Sequence, residues 1–255
     1  MDMFKKYTFT DIAAFLGDLA DFAAANGWGV QKQPGTRVSI SKGDARYRVD
    51  YSSASAVKLY ASPDGGATYN SAAPSIDYLI NGASYAFVSC GTTIYIGRVY
   101  PSTGWFWGGL ITVVHKVGAW SGGQLVHGTS MNSHYFLNGT AFYSASMFVN
   151  GAWSTMGSLR EGSVQGSIDR DLVLANKQPS LYNAGILPMP VTIFVCNAST
   201  AYLHPAGRAP GLFRINAGDV YTSGEILPFG EDSYLVMPSA VSDTGTRDLF
   251  FKLSI

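Results

Sequence analysis

Between Trp105 and Thr129 the chain reads Trp-Phe-Trp-Gly-Gly-Leu-Ile-Thr-Val-Val-His-Lys-Val-Gly-Ala-Trp-Ser-Gly-Gly-Gln-Leu-Val-His-Gly-Thr. This stretch constrains the fold more than any other. Three tryptophans and six glycines surround two short apolar runs. Large rings need a surface to pack against, and glycines punctuate strands, so the segment predicts β-hairpins. No pair of side chains in it is arranged for bond-breaking chemistry. Architecture or contact surface is the expectation.

The rest of the chain repeats the pattern after one exception. Ile12, Phe15, Leu16, Leu19, Phe22 and Ala23 recur at helical spacing and predict a helix over about 9–25. Thr8 is the expected cap, with Asp11 as its capping-box partner, and Asn26-Gly27 the stop. Asp18 and Asp21 lie off the apolar stripe. Beyond it the period is two. Val38–Ser41 and Tyr47–Tyr51 flank Lys42-Gly-Asp44 as a hairpin, and Ala56–Ala61 is the next strand. Ser62-Pro-Asp-Gly-Gly-Ala-Thr-Tyr69 has the spacing of an Asp-box turn, in which Asp64 accepts backbone N–H groups and the aromatic tucks beneath. A single copy argues against a propeller.

Further strands are expected at 84–90, 93–100, 110–116, 124–129, 141–149, 172–175, 191–197, 212–215, 233–236 and 249–253. Turn signals are Asn81-Gly82, Gly122-Gly123, Asn138-Gly139 and Asn150-Gly151. Ser154 to Pro190 is weakly patterned and reads as long loops. The fold class is therefore mainly β: antiparallel sandwich or barrel-like domains with one N-terminal helix and long loops. A soft boundary near 205–211 divides a main domain, 1–205, from a C-terminal β subdomain, 206–255.

Composition narrows the function. Apolar residues make up 47% of 255, enough for a substantial core. Charged residues are only 13%, about half the usual share, and 17 basic residues balance 17 acidic ones. Such a surface offers no electrostatic grip on nucleic acid or on an anionic membrane, and it suits a protein covered by partners. No signal-peptide run follows Met1, and no run approaches a membrane span, so the chain is expected to be made and kept in a cytosol, or to leave by a route that needs no signal. Cys90 and Cys196 sit in apolar strand-like runs and read as buried thiols.

Catalytic patterns are missing from the sequence. His115 and His127 fall in apolar runs that a hairpin would bring together, but no further zinc ligand lies near them. Carboxylates are scattered through turns, and no strand carries a glycosidase-type pair. Gly162-Ser-Val-Gln-Gly166 has the wrong spacing for a nucleophile elbow, and no phosphate-binding loop occurs. Neither catalytic residues, cofactor nor metal are assigned. Trp105, Trp107, Trp120 and Trp153 are the candidate contact residues, either filling a core or subunit interface or stacking on a sugar.

Several phrases resemble structural proteins of tailed bacteriophages. They are Ile94-Tyr-Ile-Gly-Arg-Val-Tyr-Pro-Ser-Thr-Gly-Trp105, Gly108-Gly-Leu110, His115-Lys-Val-Gly-Ala-Trp-Ser-Gly-Gly123 and Gly128-Thr129. The C-terminal part, Gly211-Leu-Phe-Arg-Ile-Asn216 and Gly230-Glu-Asp-Ser-Tyr-Leu-Val-Met-Pro238, is similar to theirs too. The likeness runs from about residue 7 to 253. Its central phrase is Lys-x-Gly-x-Trp-x-Gly-Gly. The resemblance implies a virion component at the tail tip or baseplate, made in the host cytoplasm and assembled by protein–protein contact. Its implied partners are copies of itself in a symmetric ring or trimer, and neighbouring tail or baseplate proteins. A host-surface glycan-binding tail protein and a head-to-tail connector component are the alternatives.

Overall fold

The computed structural model describes residues 3–71, 73–77, 79, 81–100, 107–129, 143–156, 167–168, 181–182, 185–186, 189–196, 203–215, 224–238 and 248–253. Seven antiparallel strands form the central sheet, in the order β1 (Phe4–Thr8), β7 (Ser84–Cys90), β8 (Thr93–Tyr100), β9 (Trp107–Thr112), β10 (Gly122–Thr129), β11 (Tyr143–Val149) and β12 (Ala152–Met156). A second sheet runs β2 (Gly29–Gln33), β3 (Arg37–Lys42), β4 (Ala45–Ser53), β5 (Ala56–Ala61), β6 (Ser75–Ile76). A third runs β13 (Ser167–Ile168), β16 (Met189–Cys196), β17 (Leu203–Ile215), β20 (Asp248–Lys252), β19 (Asp232–Pro238), β18 (Ile226–Phe229). β14 (Leu181–Tyr182) and β15 (Gly185–Ile186) pair by themselves. The architecture is mainly β and of sandwich type; no sheet among the described residues closes into a barrel.

The central sheet is buried on both faces, which explains its near-continuous apolar strands. Tyr85, Phe87, Ile94, Ile96, Leu110 and Val126 face a core shared with the second sheet and the helix α1 (Ile12–Ala25). Their chain neighbours Ala86, Val88, Tyr95, Ile111 and Leu125 face the opposite core, shared with Ile193, Leu212, Leu235 and Phe251 of the third sheet. The strand alternation thus assigns each side chain to one of two cores. The order of layers is second sheet with helix, central sheet, third sheet.

α1 is held by packing more than by propensity, since a helix of 14 residues is marginal alone. Phe15 lies 5.0 Å from Tyr85 and 5.5 Å from Phe87, and Phe22 lies 5.5 Å from Phe87, all between ring centroids. Burying each such ring stabilises by roughly 1.5–3 kcal/mol. The cap differs from expectation. Thr8 ends β1 opposite Ser84, and Phe9 N–H continues the pairing by donating to Ala83 O at 2.8 Å. The chain is still extended there, so Asp11 caps instead, accepting from Ala14 N at 2.8 Å. The stop is as expected: Gly27 N bonds Ala24 O and Trp28 N bonds Ala23 O, a Schellman closure.

Other boundaries move as well. β9 ends at Thr112, and His115 sits in a bend at φ +47° rather than in a strand. Gly122-Gly123 lies inside β10 as a bulge, with the register shifting between Gly122 and Leu125. Asn150-Gly151 does turn: both residues have positive φ between β11 and β12, as a two-residue primed turn requires. The stretch expected as long loops begins as strand, Ala152–Met156, and contains β13, β14 and β15. The expected strand at 172–175 and the turn at Asn138-Gly139 lie outside the described residues. The stretch 205–211 lies within β17, whose neighbours are β16 and β20.

One pair of glycines sets how closely two layers meet. Gly108 and Gly128 are direct partners across β9 and β10. A Cβ on Gly128 would stand 2.1 Å from Ser75 O, and one on Gly108 would stand 2.6 Å from Ile76 Cδ1. β6 of the second sheet therefore rides on a saddle only glycine provides.

Candidate contact surface

The four tryptophans do not form one platform. Trp105 lies outside the described residues, and Trp107 opens β9 opposite Gly97. Trp120 is half-buried and packs on the core shared with the third sheet. Trp153 packs on the core shared with the helix, 5.3 Å from the Phe148 ring in a T-shaped contact. The central sheet separates these last two, so they cannot stack on a common sugar.

The Lys116-x-Gly118-x-Trp120-x-Gly122-Gly123 phrase folds as a packing device. Lys116 Nζ lies 4.6 Å from the Trp120 ring centroid and donates to Gly122 O. Trp120 Nε1 donates to Ala206 O at 3.2 Å, tying the loop to β17 of the third sheet. Val114 and Arg208 exchange backbone bonds at 3.0 and 2.8 Å beside it. A Cβ on Gly123 would stand 3.2 Å from Lys116 Cε and 3.5 Å from Trp120. The phrase thus stitches two layers together.

Buried tyrosines do the same elsewhere. Tyr47 and Thr112 share a hydroxyl bond at 2.8 Å between the second and central sheets. Tyr95 donates to Pro210 O at 2.6 Å, reaching the third sheet. Tyr85 donates to Asp18 Oδ2 at 2.7 Å, reaching the helix. Burial pushes all three phenols upward. Tyr7, stacked on Tyr85 at 5.5 Å, is pushed up to about 12 by burial and then by Asp18 and Asp21. These hydroxyls are neutral donors at physiological pH, fitted to clip layers rather than to move protons.

The Asp box forms as its spacing implies. Asp64 Oδ1 accepts from Thr68 N at 2.8 Å and from Ser62 Oγ at 2.7 Å, while Gly66 N donates to Ser62 Oγ at 2.8 Å. Bonds from Thr68 and then Ser62 hold the Asp64 carboxyl down to about 2. Asn70 closes the turn, accepting from Ala61 N at 2.8 Å. Tyr69 tucks inward against Arg48, whose guanidinium carbon lies 4.3 Å from its centroid and 4.2 Å from that of Tyr60. The two rings stand at 85°. Sequence reading missed this cluster because it weighed tryptophans and left Arg48 out. The signal was there: Arg48 and Tyr60 are direct partners in the register of β4 and β5.

The two histidines do not meet. His127 is buried in β10 opposite Gly109, and His115 sits in the bend beyond β9, past Val113, whose N–H already pairs with Gly123 O. Burial holds His127 down to about 3, so it is neutral. Cys90 is a free, half-buried thiol raised by burial, and Cys196 ends β16. Among the described residues no three His, Cys, Asp or Glu side chains cluster to hold a metal.

No protein-family model matches this chain, and no curated protein matches it.

Proposed function

We propose that this chain is a structural component of a tailed-phage virion, at the tail tip or baseplate. It works through assembly with copies of itself and with neighbouring tail proteins, and it performs no chemistry. A head-to-tail connector is the alternative address within the particle. The observation that carries the reading is the Lys116–Gly123 segment. The residues that resemble the virion phrase are those that stack, bulge and bond to Ala206, so the likeness lies in packing. The low charge of the chain supports the same reading, because a surface with few charges loses little on being covered.

The test is peptide mass spectrometry on gradient-purified particles of a phage that carries this sequence. The chain is expected at a fixed copy number relative to the tail proteins and retained after high-salt washing. Its absence from intact particles, with full infectivity of a deletion, refutes the proposal.

A further inference from the structure

We infer that the free edge of β2 pairs with the same edge of a second copy of this chain, antiparallel about a twofold axis at Gln31, so that the second sheet runs on across two subunits. This deepens the assembly reading above, on which it rests for the expectation that copies meet, and it names the strand through which they do.

β2 is the terminal strand of its sheet. Backbone groups along a strand point alternately to its two sides. Tyr51 N donates to Thr36 O at 2.8 Å, and Gly43 turns at φ +56° between Lys42 and Ala45, which close a two-residue hairpin. Val38 and Ile40, in step with Thr36 and Lys42, therefore bond to β4. Arg37, Ser39 and Ser41 bond to β2 instead, through Gln33, Gln31 and Gly29. The N–H and C=O groups of Val30 and Lys32 are left pointing away from the sheet. No backbone group among the described residues meets them.

A sheet edge invites a further strand unless something blocks it. The other described edges are short, blocked or continued. β6, β13, β14 and β15 have two residues each. β1 exposes Lys5 and Lys6, and Lys6 Nζ already donates to Gly224 O at 3.0 Å. In β18 the bond from Val236 N to Glu225 O sets the alternation that turns Pro228 outward, where it has no N–H to offer. β12 continues into residues outside those described. β2 has five residues, and its one charge is neutralised, since Lys32 Nζ lies 2.5 Å from Asp21 Oδ1 of the helix.

The edge is also complementary to itself. About a twofold axis at Gln31, Val30 of each copy pairs with Lys32 of the other through both backbone groups, so four bonds form. No two charges of like sign stand opposite one another. Other registers lose bonds. Sliding one way sets Lys32 against Lys32 and Val30 against Pro34, which has no N–H. Sliding the other way sets Lys32 against Trp28, whose N–H is committed to Ala23 O at 3.0 Å. Each copy makes one such contact, so an assembly built on it holds an even number of copies, which selects a ring over a trimer.

The experiment is sedimentation velocity and native mass spectrometry on the full chain, from low to high micromolar protein. Wild type is expected to assemble in even copy numbers. Lys32→Pro removes an outward N–H at an edge position that tolerates proline, and it should weaken association by roughly tenfold or more, two bonds per pair being lost. Lys32→Ala keeps that N–H while losing the ion pair with Asp21, and it should associate as wild type does. Circular dichroism melts check that both variants fold. Gln31→Cys should cross-link two copies at position 31 under mild oxidation, because facing residues that do not bond each other lie about 4.5 Å apart between Cα atoms. Gln33→Cys should not, since Gly29 of the second copy lies opposite it. A wild type that stays monomeric overturns the inference, as does equal association by Lys32→Pro and Lys32→Ala, or cross-linking through Gln33→Cys in place of Gln31→Cys. An odd copy number overturns it too and leaves the virion reading standing. Pairing through β2 by a chain absent from particles sinks the virion reading and leaves this contact in place.

Discussion

Replacing Gly128 with alanine tests the layer order directly. The added Cβ would stand 2.1 Å from Ser75 O and 2.6 Å from Ser75 C. Both atoms are strand backbone in β6, so no side chain can swing away. Ordinary carbon contacts need more than 3 Å, so the second and central sheets must part by about an ångström here. Overpacking of this kind costs about 1–3 kcal/mol. The stiffer unfolded chain returns at most about 0.4–1 kcal/mol. The expected net loss is about 1–2 kcal/mol, a fall in Tm of roughly 2–8 °C for a chain of this length. Gly17→Ala is the control with opposite sign. Gly17 lies in α1 with nothing within 4 Å of its Cβ position, so alanine should stabilise by about 0.5–1 kcal/mol. Urea unfolding followed by tryptophan fluorescence measures both. A Gly128→Ala protein as stable as wild type refutes the saddle, and with it the placement of β6 against β10.

Four further outcomes follow from the same geometry. Tyr95→Phe removes the bond to Pro210 O and should cost about 1 kcal/mol in urea melts, whereas no loss would deny that the hydroxyl ties the third sheet. Asp11→Ala should cost about 1 kcal/mol and Thr8→Ala less, the reverse order restoring Thr8 as the cap. His127 is held near 3 when folded and titrates near 6.5 when unfolded, so the unfolded chain takes up the proton first. Stability is then complete above 6.5 and falls as pH drops toward 3, with a slope of up to about 1.4 kcal/mol per pH unit that His127→Gln should remove in melts between pH 7 and pH 4. Asp64 should titrate by carbon NMR near 2 in the folded protein, and an ordinary carboxyl value would show that the Ser62 and Thr68 bonds do not form in solution.

Where the sequence was legible, one face or one turn dictated it. The limits of β5, β7 and β8 match expectation because turn residues bound their apolar runs. The helix was legible from its stripe, with its start misplaced by three residues because β1 was not recognised. Phe4-Lys-Lys-Tyr-Thr8 does not alternate, and its pairing with β7 is a long-range fact. β17 was expected only over its last four residues. Pro205, Gly207, Pro210 and Gly211 read locally as breakers. In the structure the ladder with β16 shifts register between Ile193 and Phe194, where Pro205 and Gly207 stand opposite. Gly207 is also needed for contact, since a Cβ there would meet Val114 O at 2.7 Å. Breakers and close-approach glycines look alike until the neighbouring layer is known.

That ambiguity explains why the most telling segment was read correctly in kind and wrongly in detail. The glycines from 108 to 128 promised turns, yet Gly108 and Gly128 form a saddle and Gly122-Gly123 a bulge within one strand. The tryptophans were expected either to fill a core or subunit interface or to stack on a sugar, and Trp120 and Trp153 pack against opposite cores. Residues of this kind act through what lies above and below their own sheet. A sequence phrase built from them records how layers stack and names no ligand. The Arg48 cluster lies outside the phrase, on the strand register that sets Arg48 against Tyr60 and on the turn that brings Tyr69 over it. Arg48→Lys tests whether the held guanidinium secures that turn. It keeps the charge but loses the planar fork between two rings, so it should cost about 1 kcal/mol in urea melts. Equal stability of Arg48→Lys and wild type would mean that charge alone, and not the held guanidinium, secures Tyr69 over the sheet.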